Sequence, residues 1–99
     1  MIGYRFLPAA EEEMSEAAAF YEAASVSLGD DFLEDVQLTI NTLRAHPEIG
    51  VRIDPNLRRA LLRRFPFSVI YSVEVDGILV VSIAHHRQRP GYWKTRIQR

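Results

Sequence analysis

The sequence predicts an α+β fold: an N-terminal strand, an antiparallel helix hairpin packed on a small, mainly antiparallel β-sheet, and a short C-terminal helix. Three observations predict it. Residues 8–46 hold two stretches whose apolar residues recur at helical spacing, parted by the turn "SLGDD". Residues 60–86 hold three β-prone runs, "ALLRRF", "FSVIYSVEV" and "ILVVSIAHH". Asp76-Gly77, between the last two runs, is a strong signal for a two-residue type I′ hairpin.

Each element has a local reason. "IGYRFLP" is short and β-prone, and Pro8 ends it. Pro8 then suits the first turn of a helix, and Glu11, Glu12 and Glu13 favour the positive end of its dipole. Met14, Ala17, Ala18, Tyr21 and Ala24 fall on one face, and the alanines let a second helix approach closely. Gly29 or Asp30 is placed to cap that second helix, in which Phe32, Val36, Ile40 and Leu43 form one apolar stripe. Pro47 disfavours helical geometry at His46 and stops it. Residues 51–58 read as a loop. The last helix is expected from Pro90 to about Gln98.

The Asp76-Gly77 turn sets an expected register, in which Val75 faces Ile78, Tyr71 faces Ser82 and Ser68 faces His85. Strand parity then places Phe67, Val69, Tyr71, Val73, Val75, Ile78, Val80 and Ala84 on the face under the helices. Ser68, Ile70, Leu79, Val81, Ile83, His85 and Arg87 fall on the opposite face, an aliphatic strip with a basic end. Such a half-exposed strip beside arginines reads as a partner surface, partly covered by the last helix.

Ninety-nine residues suffice for one small core, so residues 1–99 read as a single domain. The chain has no cysteine, which excludes disulfides and thiolate metal sites and fits a cytoplasmic setting. It shows neither an apolar run long enough for a membrane span nor a secretory signal, so no membrane partner is expected. The net charge of −1 conceals an asymmetry: residues 1–50 hold two basic and ten acidic residues, whereas residues 51–99 hold ten basic and three acidic ones. Nine of those ten are arginine, whose forked donors suit phosphate or carboxylate. The basic half is therefore suited to a polyanion or an acidic partner, unless the two halves simply neutralise each other.

Candidate chemistry concentrates in "SIAHHRQRPGYW", residues 82–93. His85 and His86 are consecutive and point to opposite faces of a strand, so no shared metal is expected, and no cofactor motif such as a Gly-rich phosphate loop is present. Arg63-Arg64, Arg87 and Arg89, with Tyr92 and Trp93, supply cations for phosphate and flat rings for bases. Metal-free cleavage of RNA needs a base, an acid and positive charge around the phosphate, which Arg64, His85, Arg87 and Tyr92 could provide. Trp93 reads first as packing for the last helix.

Taken together, His46-Pro47 with Gly50, Arg64-Phe65-Pro66-Phe67 leading into Ile70-Tyr71, and His85-x-Arg87 followed by Pro90 and Trp93 resemble the RelE/ParE superfamily of type II toxin–antitoxin toxins. The resemblance covers nearly the whole chain. It implies a plasmid-stabilisation-type toxin that arrests growth, neutralised by a cognate antitoxin in a hetero-oligomer. RelE-like members cleave mRNA on the ribosome, and ParE-like members inhibit DNA gyrase. RelE-like nucleases carry an arginine where this chain has Ser68, a second that matches Arg87, and a C-terminal tyrosine that aligns with Trp93, beside Tyr92. Their basic helix surface is absent here. A ParE-like toxin is therefore expected, with a ribosome-dependent mRNA endonuclease and a non-toxic binding module as alternatives. The expected antitoxin surface is Arg63, Ile70, Leu79, Val81, Ile83, Arg87, Arg89 and Trp93.

Overall fold

A computed structural model describes residues 1–97. The chain runs β1 (Tyr4–Phe6), α1 (Pro8–Ala24), α2 (Leu28–Ala45), β2 (Val51–Asp54), β3 (Leu57–Leu61), β4 (Phe67–Glu74), β5 (Gly77–His85) and a 3₁₀ turn at Lys94–Ile97. The five strands form one sheet in the order β1-β5-β4-β3-β2, with β1 parallel to β5 and all other neighbours antiparallel. This is the α+β fold that the sequence predicts.

The helix hairpin closes on small residues. A Cβ on Gly29 would lie 2.6 Å from the Ala18 carbonyl oxygen, so the crossing requires glycine there. The turn is made by Ser27 at φ 69°, and the Glu22 carboxylate accepts the N–H groups of Ser27 and Gly29. The expected cap at Gly29 or Asp30 is thus replaced by a side chain from the preceding helix. The stripe of Phe32, Val36, Ile40 and Leu43 is buried against Val69, Tyr71, Val80 and Ile83. Tyr21, Phe32, Phe65 and Phe67 pack edge to face beside it, which adds stabilisation beyond area alone.

The resembled motifs touch one another. Tyr71 donates its hydroxyl to the Pro47 carbonyl at 2.7 Å and accepts the Gly50 N–H at 3.0 Å. A Cβ on Gly50 would collide with the Tyr71 ring, so the glycine after the helix and the tyrosine in β4 form one joint.

Four expectations are corrected. Residues 51–58 are a β-hairpin rather than a loop: Asp54 accepts the Asn56 N–H at 2.7 Å, and Arg58 ties the hairpin back to the carbonyls of Glu48 and Gly50. β3 stops at Leu61 instead of continuing to Phe65, because the Asp35 carboxylate accepts the N–H groups of Arg63 and Arg64. The last helix is only the 3₁₀ turn, since Gly91 at φ 87° interrupts helical geometry; Gln98 lies outside the described residues.

The hairpin of β4 and β5 is the fourth. A type I′ turn needs positive φ at both central residues, and Asp76 does not have it. Val75 and Asp76 form the turn, and Glu74 faces Gly77. Tyr71 therefore faces Val80, a two-residue slip that by itself leaves the side chains up to Val81 on their expected faces. A bulge then leaves Val81 without a partner, because Ile70 already faces Ser82. That single extra residue reverses parity beyond it. Ile83 lies in the core under the helices, and Ala84 lies on the opposite face. Val73 and Val75, at the turn, are exposed rather than in the core.

Candidate functional site

The end of β5 and the β3–β4 connection meet at one end of the sheet, where the His86 N–H donates to the Pro66 carbonyl at 2.9 Å. Arg63, Arg64, Arg87 and Arg89 are exposed there. Asp35, 3% exposed, fixes the backbone of Arg63 and Arg64 through bonds of 3.2 and 2.8 Å. The Arg64 guanidinium reaches Asp31 at 3.5 Å, but both side chains are largely in water and the pair adds little.

The bulge decides which histidine faces the site. Ser68 meets His86 rather than His85, with 3.1 Å between its hydroxyl and Nε2. His85 turns to the Phe67 ring at 4.9 Å, and its Nδ1 accepts the Arg87 N–H. Ser68, His85, His86, Arg59, Gln88 and Trp93 border a cavity of about 320 Å³ floored by Ile70 and Ala84. Of the residues expected to cleave RNA, His85 borders it, whereas Arg64, Arg87 and Tyr92 do not.

Tyr92 belongs to a second cluster. Its hydroxyl lies 2.6 Å from Glu13 Oε2, 2.9 Å from the Ser82 hydroxyl and 3.2 Å from Gln88 Oε1. Arg96 meets both Glu13 oxygens, at 2.8 and 3.2 Å, and donates to the Val81 carbonyl. Glu13 also accepts the Ile83 N–H and the Ser82 hydroxyl. The strand geometry explains this cluster. β1 pairs with β5 only as far as Val80, and the bulge follows, so the peptide groups of Val81 and Ile83 need other partners. Glu13 and Arg96 provide them.

The electrostatics follow from the bonding. Burial alone would raise the Glu13 carboxyl, but hydrogen bonds from Arg96, Tyr92 and Ser82 outweigh it and hold the group below its ordinary range. Burial, reinforced by the bond to Glu13, pushes Tyr92 up to about 12. The Glu13 bond raises Arg96 above its ordinary value. Sequence reasoning missed Glu13, Ser82 and Arg96. They carry no local motif, and Glu13 and Arg96 stand 83 positions apart.

The aliphatic strip is not half-exposed. Ile70, Leu79 and Val81 are buried with Leu57 and Ala84 under Tyr92, Trp93 and Ile97, and Ile83 is on the other face altogether. The strip was misjudged because the C-terminal segment, short as it is, is pinned over it by the Glu13 cluster. Of the expected partner residues, Arg63, Arg87 and Arg89 are exposed and Trp93 is half-buried. Among the described residues no group of three His, Asp or Glu side chains is placed to hold a metal ion, and no helix is long and apolar enough to cross a membrane.

A solved chromosomal ParDE toxin–antitoxin system from P. aeruginosa includes a chain that superposes with a TM-score of 0.61 at 18% identity, over 86% of this chain and 96% of that one. At that identity the likeness concerns the fold. No curated protein sequence matches significantly. The family model for the ParE toxin of the type II toxin–antitoxin system parDE matches residues 4–90, from β1 through the basic turn after β5. The chain therefore belongs to the ParE toxin family.

Proposed function

We propose that the chain is a toxin that works inside the cell by binding an essential target such as DNA gyrase, and that a cognate antitoxin neutralises it. The observation that carries this reading over RNA cleavage is the state of Tyr92. Its hydroxyl is committed to Glu13 and Ser82 and is held by a pKa of about 12, so it is a poor proton donor at neutral pH. Arg64 and Arg87 do not border the cavity that Ser68, His85 and His86 border. Exposed arginines on a rigid sheet end are suited to binding an acidic surface, whether of protein or of DNA.

The test is induced expression without antitoxin, with total RNA and nucleoids examined in the same cells, followed by a supercoiling assay on purified gyrase. Intact transcripts, filamentation and loss of supercoiling are expected. Rapid cleavage of translated mRNA with normal nucleoids would overturn the reading in favour of a ribosome-dependent nuclease. Normal growth at strong expression would overturn toxicity itself.

A further inference from the structure

Strand register gathers one recess from three strands. Arg59 faces Ile70 and Leu61 faces Ser68 across β3 and β4, and Ser68 faces Ala84 across β4 and β5. Directly paired residues point to one side of a sheet, so these five share a face. Farther along that face Leu79 and Val81 lie buried under the C-terminal turn, whereas around Ser68 it opens as the cavity of about 320 Å³. Trp93 marks the boundary, packing on the aliphatic cluster of Ile70 and Ala84 and bordering the recess as well. The walls are mostly apolar, from Leu61, Ile70, Ala84, Pro90 and the Trp93 ring.

The polar groups on the recess have donors to offer. The Arg59 guanidinium has no hydrogen-bond or ion-pair partner among the described residues. Gln88 accepts the His85 N–H through Oε1 at 2.9 Å, which fixes the orientation of the amide and leaves its NH₂ without an acceptor among the described residues. Ser68 shares a hydrogen bond with His86 Nε2, and when the imidazole donates that bond the serine hydroxyl proton is free. Among the described residues no aspartate or glutamate borders the recess.

We propose that this recess binds a small organic acid, with a single carboxylate on a compact apolar body such as an aromatic ring. A carboxylate only accepts hydrogen bonds, and it meets a forked cation and two neutral donors with no acid nearby to repel it. The apolar body takes the aliphatic walls and one face of the Trp93 ring out of water. The volume is at the lower end for ligand sites, which suits so small a molecule. A nucleotide is a poorer occupant. Its phosphate brings about −1.5 to −2 charge to a single arginine, and its base sets polar edges against aliphatic walls. The acid is a ligand of the free chain, separate from whatever target the basic end engages.

The probe is 3-phenylpropionate, titrated into the full chain while the emission of Trp93, the only tryptophan, is followed. A saturable change with a Kd of about 1 mM or below is expected, as befits a ligand of so few atoms. The neutral isostere 3-phenylpropionamide is expected to bind roughly tenfold more weakly, since it lacks the charge that strengthens the bonds to Arg59. Acetate, which has the head without the body, and adenosine monophosphate are expected to leave the emission unchanged. In the ¹⁵N-labelled chain, shifts are expected at Ser68, His86 and the Gln88 side-chain amide. Arg59→Gln, at an exposed and unpartnered side chain, is expected to weaken binding of the acid by roughly tenfold and to leave that of the amide unaltered. No saturable change up to about 10 mM acid would overturn the assignment. So would equal affinity for acid and amide, full affinity in a folded Arg59→Gln protein, or shifts centred on another face. Tighter binding of adenosine monophosphate than of the acid would also overturn it and give the recess to a nucleotide.

Discussion

The Glu13 carboxylate and the Arg96 guanidinium form a two-bond pair, at 2.8 and 3.2 Å, that fastens the C-terminal turn to the first helix across the bulged edge of β5. The side chains are 17% and 21% exposed, so the pair is far better shielded than the one between Arg64 and Asp31. Removing one partner leaves the other charge poorly solvated and frees the Val81 and Ile83 peptide groups, a larger loss than that of a surface ion pair.

Glu13→Gln is therefore expected to lower stability by about 2–4 kcal/mol and to expose the apolar residues beneath Trp93. Trp93 is the only tryptophan in the chain, so a red shift of its emission reports the release. The effect carries a pH signature. The folded Glu13 carboxyl titrates below its unfolded value, so its contribution is complete above the unfolded value of about 4.5 and is lost as pH falls through the folded one. Melting curves of wild type and Glu13→Gln are expected to differ at neutral pH and to converge in acid. A gap that persists unchanged at low pH would contradict the assignment.

Tyr92→Phe keeps the ring over the apolar face and removes the hydroxyl. A loss of about 1–2 kcal/mol is expected, with growth inhibition retained at expression levels that compensate for it. Growth arrest abolished in a folded Tyr92→Phe protein would move Tyr92 from packing to chemistry.

Asp35→Ala removes the acceptor for the Arg63 and Arg64 N–H groups. It is expected to cost about 2–3 kcal/mol and to speed amide exchange at both positions while the β4–β5 hairpin keeps its protection. Equal loss of protection throughout the sheet would mean that Asp35 supports the whole fold rather than the loop.

Gly29→Ala places a methyl group against the Ala18 carbonyl and the Glu22 side chain. The helices must separate, at an expected cost of about 1–3 kcal/mol by chemical denaturation, despite the better helix propensity of alanine. A stabilised variant would show that the crossing has room to spare.

The helix hairpin was legible because its signals are local: Pro8, the Phe32–Leu43 stripe and Pro47 each act within a turn or two of the chain. The faces of β4 and of β5 up to Val81 were legible for a different reason. An error of two residues in register costs nothing in parity, so the wrong turn still sorted Tyr71 and Val80 correctly. The bulge was not legible, since no residue type announces it, and it carried Ile83, Ala84 and both histidines to the wrong faces. The β2–β3 hairpin hid because arginines interrupt its short alternation. At the site, the cationic end was visible in composition, whereas the Glu13 cluster depends on long-range closure that no spacing encodes.

The bulge at Val81 has one more consequence. The imidazoles of His85 and His86 point from opposite faces of the same strand end, one to Phe67 and one to Ser68. A slip or a single-residue length change in β5 would exchange the two rings rather than delete one from either face. Ile83 and Ala84 offer no such redundancy, because an isoleucine fits the core under the helices and an alanine fits beneath the C-terminal turn. The histidine doublet is therefore indifferent to frame, and it is the unequal volumes of its two predecessors that hold the strand in phase.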